Sequence, residues 1–261
     1  MILLNAIVVV LNETVEAGIL ISVLLSISHR LQLAAHWWRW GLLLGCAGSL
    51  LYAHWLPILT EWFDYGGQEV VNSSLQLAIF ALAALLIHRL AKRRYQFIGL
   101  LLALAMGLAM IREGAEIVVF YLGIISHGEP LSSVLTSGFV GAAIGASIGA
   151  LLYYFLMLAQ PRHAESIQPI LLAVIASGMV LQASQLLIQI DWLPVTAPLW
   201  NSSALLSEQS PLGQLAYAVF GYEATPSAVE VALYACALLL SGGAMLAGRR
   251  SQSSPTAGTY L

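Results

Sequence analysis

The stretch Met110-Ile111-Arg112-Glu113-Gly114-Ala115-Glu116-Ile117-Val118-Val119-Phe120 puts three ionisable side chains inside a run, residues 97–125, that is otherwise almost wholly apolar. About 20 consecutive apolar residues cross a bilayer as a helix. A charged side chain at the centre of such a helix costs at least ~2.5–3.5 kcal/mol on insertion scales. Polar groups that merely join helices in lipid are usually Ser, Thr, Asn or small residues. The stretch therefore predicts a membrane-spanning helix with a functional acid pair, Glu113 and Glu116, near its middle. Arg112 reads in two ways, as a structural counter-charge that makes buried acids tolerable or as a group that steers protonation and moves when a cation leaves.

The rest of the chain agrees with a lipid-embedded protein. Of 261 residues, 59% are hydrophobic and 9% charged, whereas soluble domains carry about 25% charged residues. Seven apolar runs are long enough to span: 2–28, 40–58, 70–87, 97–125, 131–158, 167–190 and 228–246. None has the short alternating pattern of a membrane barrel strand, and lipid admits only helices or closed barrels. The expected fold is all-α, a polytopic membrane protein of seven transmembrane helices. Cys46 and Cys236 lie in apolar runs and read as packing residues. No basic n-region or cleavage site marks a removable signal peptide, and no soluble domain is expected.

Charge sets the expected orientation. Arg30, Arg39, Arg89, Lys92, Arg93, Arg94, Arg162, Arg249 and Arg250 all fall in loops of one side, which accounts for nine of the ten basic residues. The other side carries acids, Glu61, Asp64, Glu69, Glu129, Asp191, Glu208 and Glu223. Cytoplasmic loops are the basic ones, so the N-terminus is expected outside and the C-terminus in the cytoplasm. On the outer side Ser210-Pro211 is a helix start and Gly221 a helix stop, which predicts a short surface or re-entrant helix over the outer mouth in the loop 191–225, with a plain connecting loop as the alternative.

A second acid pair occurs in Leu11-Asn12-Glu13-Thr14-Val15-Glu16-Ala17-Gly18, where Glu13 and Glu16 repeat the Glu113 and Glu116 spacing at an offset of 100 residues. Each pair lies in the first helix of a three-helix group, and an odd number of crossings reverses the second group. The expected organisation is a 3+3 inverted repeat, residues 1–95 and 96–190, followed by the loop 191–225 and a seventh helix with tail, 226–261. Sites of inverted-repeat transporters lie at the midplane between repeats. Residues at i and i+3 share a helix face, so two facing helices can offer four carboxylates to one volume. Such a set repels itself unless protons or a cation neutralise it, and carboxylate oxygens suit hard cations. Four Glu and Arg112 sum to −3, a match for a trivalent ion. Asn72, Ser73, Gln76, Gln182 and Gln185, on the third helices of the two groups, are expected to line a polar path to the site, with interhelical hydrogen bonding as the alternative. Met106 and Met110 read as packing.

Arg112-Glu113-Gly114-Ala115-Glu116, the pair Glu13 and Glu16 in the first helix, and the loop segments Leu199-Trp200-Asn201 and Gly221-Tyr222 resemble the high-affinity iron permeases, the oxidase-dependent iron transporters. The resemblance covers essentially the whole chain, at about the size of the bacterial members. It implies import of ferric iron across the cell inner (plasma) membrane, with Glu13, Glu16, Glu113 and Glu116 as metal ligands and Arg112 as a motif residue. It also implies a periplasmic or extracellular iron oxidase or iron-binding protein as partner, besides membrane lipid; neither nucleic acid nor an organic cofactor is expected. Asn12 departs from the family pattern, which has Arg there, so the site holds one positive charge fewer; Asn12 can donate to a Glu or offer its carbonyl to the ion. Two alternatives are a carrier of another divalent or proton-coupled cation and a di-iron oxidase. The oxidase is disfavoured because such sites use Glu-x-x-His on two helices, and no His follows either pair at that spacing.

Overall fold

The computed structural model describes residues 2–34, 36–126 and 130–251. His127 and Glu129, the latter among the outer-loop acids, lie outside the described residues. Among the described residues there are eight helices: α1 (Ile2–Arg30), α2 (His36–Thr60), α3 (Gly67–Ala91), α4 (Ile98–Ser126), α5 (Leu131–Leu158), α6 (Pro161–Gln189), α7 (Pro211–Phe220) and α8 (Ala228–Arg250). All but α7 are long and apolar enough to cross a membrane, as the seven apolar runs anticipate. Most spanning helices run about a turn beyond their apolar cores. α3, for example, starts with Glu69 in its first turn and ends with Arg89 in its last, charges that complement the helix dipole at both ends. Arg30 serves the neighbouring helix, donating to the carbonyls of Leu156 and Ala159 at the end of α5, both at 2.8 Å.

α4 and α6 are the most enclosed spans, whereas α2, α5 and α8 are peripheral. The apolar side chains of Leu43, Leu50, Phe139, Phe155, Leu239 and Leu240 stand exposed on the perimeter, as they must where lipid replaces a protein neighbour. Inside, Ile19, Leu24, Ile79, Leu86, Leu102 and Leu172 from α1, α3, α4 and α6 form one core.

Helix pairing follows a simple rule. α1 packs most extensively on α5, α2 on α4, and α3 on α6, with α1 also meeting α4. Exchanging helices 1, 2 and 3 for 4, 5 and 6 leaves that pattern unchanged. Small residues make the close approaches. Gly41 and Gly45 of α2 lie against Met106 and Met110 of α4, and a Cβ on Gly45 would stand 2.5 Å from the Met110 Cβ. Gly141 and Gly145 of α5 lie against α1, where a Cβ on Gly145 would stand 2.7 Å from the Thr14 Cβ. Lipid offers little hydrophobic drive between helices, so such backbone approach and dispersion contact hold them together. The two glycine pairs are again 100 residues apart.

α7 is built as its sequence predicts. Ser210 accepts a hydrogen bond from the Gly213 N–H, Pro211 occupies the first helical position, and Gly221 ends the helix in the left-handed region at φ 64°. Gly221 also presses on Gly178 of α6, to whose Cα a Cβ at 221 would approach within 2.6 Å. This contact docks the C-terminal end of α7 against the central part of α6. The following loop leads into α8 through a capping box in which Ser227 and Glu230 bond each other's backbone N–H.

Candidate metal centre

The two motif helices meet near the middle of the bundle. Arg112 is buried and reaches both. Its Nη1 donates to Glu113 at 2.6 Å and to Glu16 of α1 at 3.1 Å, and its Nε lies 3.7 Å from Glu116. One carboxylate oxygen each from Glu13, Glu113 and Glu116 lies within 4.8 Å of the others. The Oε2 atoms of Glu13 and Glu113 are buried without a hydrogen-bond partner. A buried acceptor left unpaired is costly, and three converging carboxylates with unused lone pairs are the arrangement that a hard cation relieves.

The third helices close around this cluster. Asn72 Nδ2 donates to Glu116 at 3.3 Å, while its Oδ1 accepts from the Tyr52 hydroxyl at 2.8 Å. Gln182 Nε2 donates to Glu16 at 3.4 Å, while its Oε1 accepts from Gln76 Nε2 at 2.8 Å. Ser73 does not join them, since its hydroxyl bonds the Val70 carbonyl of its own helix. Gln185 sits nearer α7, donating to Glu223 and accepting from the Tyr217 hydroxyl.

Three cavities border the cluster. One of about 390 Å³ is lined by Asn12, Glu13, Glu16, Gln185, Glu208, Gln214, Tyr217 and Glu223, and so runs from the motif of α1 to the underside of α7. A second, about 300 Å³, lies between Tyr52, Gln68, Asn72 and Glu116. A third of about 500 Å³ leads from Glu13 and Glu113 along Gly18, Ser22 and Leu25 toward Tyr153, away from α7. Its walls beyond the carboxylates are mainly apolar.

Acids also gather at the α7 end. Glu208 accepts from the Ala224 N–H, and Glu230 is buried at the start of α8. Burial, followed by the charge of Glu230, pushes the Glu223 carboxyl from 4.5 up to about 7. Of these groups, Tyr52, Tyr217 and Glu230 escape the sequence reading. Ser227-Ala228-Val229-Glu230 is a legible capping box, but a tyrosine in an apolar run or a loop helix carries no signal. Met106 and Met110 pack on the glycines of α2.

No curated protein and no solved structure matches the chain. The sequence model of the iron permease FTR1 family matches residues 58–247, from the end of α2 into α8. The match takes in Arg112, Glu113 and Glu116 and the helix α7, whereas Glu13 and Glu16 precede it. The carboxylate cluster and the seven spans accord with that match, and the chain belongs to the iron permease FTR1 family, a multi-pass membrane protein of iron transport.

Proposed function

We propose that this permease imports ferric iron through a midplane site formed by Glu13, Glu16, Glu113 and Glu116. The observation that carries the reading is the convergence of oxygens from Glu13, Glu113 and Glu116 within 4.8 Å, contributed by α1 and α4. Carboxylates are hard ligands, and with Arg112 the four Glu sum to −3 when ionised, which favours a trivalent cargo. Arg112 holds three of the four acids together until the ion arrives and remains as fixed counter-charge. Asn12 lines the cavity leading in and offers its carbonyl to a passing cation.

The 100-residue offset of motif and glycine pairs and the exchangeable helix pairing support a 3+3 inverted repeat. Transport then follows from rocking of one repeat against the other around the site. Basic residues cluster at the end away from α7, which supports a cytoplasmic C-terminus. Iron accordingly comes in from the α7 side, past Gln185 and Tyr217 or past Asn72, and leaves toward Tyr153. Residence in the plasma or inner membrane, and delivery by an outer oxidase or iron-binding protein, complete the reading.

Uptake into proteoliposomes tests it, with Fe(III) and Fe(II) compared in wild type and in Glu13→Gln/Glu113→Gln. Ferric uptake lost in the double variant is expected. Equal uptake by both proteins would remove the carboxylates from the path, and preference for another cation would favour a divalent or proton-coupled carrier.

A further inference from the structure

The four glutamates are not held alike. Glu116 and Glu16 each receive a carboxamide N–H from a third helix, Asn72 of α3 and Gln182 of α6. The helix pairs involved, α3 with α4 and α6 with α1, are exchanged by the same relation that maps the first three helices on the second three. In both cases the carboxamide bonds the oxygen that Arg112 also faces, Oε1 of Glu116 and Oε2 of Glu16. The bonds that hold each carboxylate thus converge on one of its two oxygens.

What distinguishes these amides from ordinary helix-joining groups is that each is aimed. Asn72, Gln76 and Gln182 are buried, with at most 5% of their surface exposed. The Tyr52 hydroxyl donates to Asn72 Oδ1, and Gln76 Nε2 donates to Gln182 Oε1. A reversed amide would set its oxygen against a carboxylate oxygen, which only accepts. The carboxylates therefore fix which way each amide points, and Tyr52 and Gln76 hold that orientation by donating to the amide oxygens.

We infer that Asn72 and Gln182 are positioning residues for cation binding, held in turn by Tyr52 and Gln76, and that they fix Glu116, one of the three converging acids, and Glu16 beside them, each with one oxygen left for the ion. This rests on the four-carboxylate site proposed above. Preorganisation of that kind raises affinity because the ligands need not be ordered when the ion arrives. Tyr52 and Gln76 direct their hydrogen bonds to Asn72 and Gln182 and not to a glutamate, so their effect on binding runs through the amides.

Terbium(III), a hard trivalent probe, is titrated against the purified full chain by luminescence, in wild type, Tyr52→Phe, Asn72→Leu, Tyr52→Phe/Asn72→Leu, Gln182→Leu and Glu13→Gln/Glu113→Gln. Hydrogen bonds to charged groups set the scale, so Asn72→Leu and Gln182→Leu should each weaken binding about tenfold and Tyr52→Phe severalfold. Adding Tyr52→Phe to Asn72→Leu should change nothing further, a non-additivity that a general loss of packing would not give. Additive effects, or unaltered affinity in correctly inserted Asn72→Leu and Gln182→Leu, would overturn the positioning role. Undiminished binding in Glu13→Gln/Glu113→Gln would instead overturn the site itself, whatever the amide variants do.

Discussion

The Nη1 of Arg112 on α4 lies 3.1 Å from Glu16 Oε2 on α1. That contact joins the two copies of the acid motif. One guanidinium thereby reaches Glu113, Glu16 and Glu116 together, while the first copy carries Asn12 at the matching position. Buried ion pairs gain little over an apolar core, but removing one partner strands the other.

Replacing Arg112 with Ala should therefore destabilise the protein by about 3–5 kcal/mol. Arg112→Lys should retain part of the stability and lose most uptake, because an ammonium cannot fork between α1 and α4. Detergent-solution melting and uptake on the same preparations check both.

Glu113→Ala and Glu16→Ala should each abolish iron uptake while the protein still inserts. Glu113 supplies an unpartnered oxygen and Glu16 anchors Arg112 across the interface. Membrane levels and uptake measured side by side decide the matter, and normal uptake by either variant would sink the four-carboxylate site.

Gly45→Leu and Gly145→Leu should damage assembly to a similar degree, because both glycines lie where a Cβ already collides with the facing helix. Overpacking costs about 1–3 kcal/mol and often more for a branched side chain. Yield of folded protein after detergent extraction reads this out; a tolerated Gly145→Leu would mean that α5 stands further from α1.

Gly221→Ala should loosen α7, since residue 221 is left-handed and abuts Gly178. The left-handed conformation alone costs roughly 1–2 kcal/mol for an L side chain. Faster proteolysis of the 191–225 loop is the expected result.

Glu223 gives a pH dependence. Its carboxyl is raised from 4.5 to about 7 by burial first and Glu230 second. The folded protein therefore holds a proton that the unfolded chain releases sooner. The stability it contributes is complete below pH 4.5 and fades as pH rises through about 7. Glu223→Gln should flatten that part of the melting-temperature profile of metal-free protein; an unchanged slope would show that Glu223 does not titrate there.

The span count, the bounds of α7 and the two acid pairs are legible in the residues themselves. Transfer free energy is summed along the chain, so Phe97 to Ile125 declares a span without any partner. Ser210, Pro211 and Gly221 act on their own helix ends and are equally readable. The offset of Gly41 and Gly45 from Gly141 and Gly145 is also there to be read, but only their contacts with Met110 and Thr14 show its purpose. Three-dimensional packing alone determined the rest. It turned the Ser73 hydroxyl to its own backbone and brought Tyr52 to Asn72, Gln76 to Gln182, and Arg112 to Glu16. These outcomes depend on helix rotation and depth, which interhelical contacts set and no local pattern encodes.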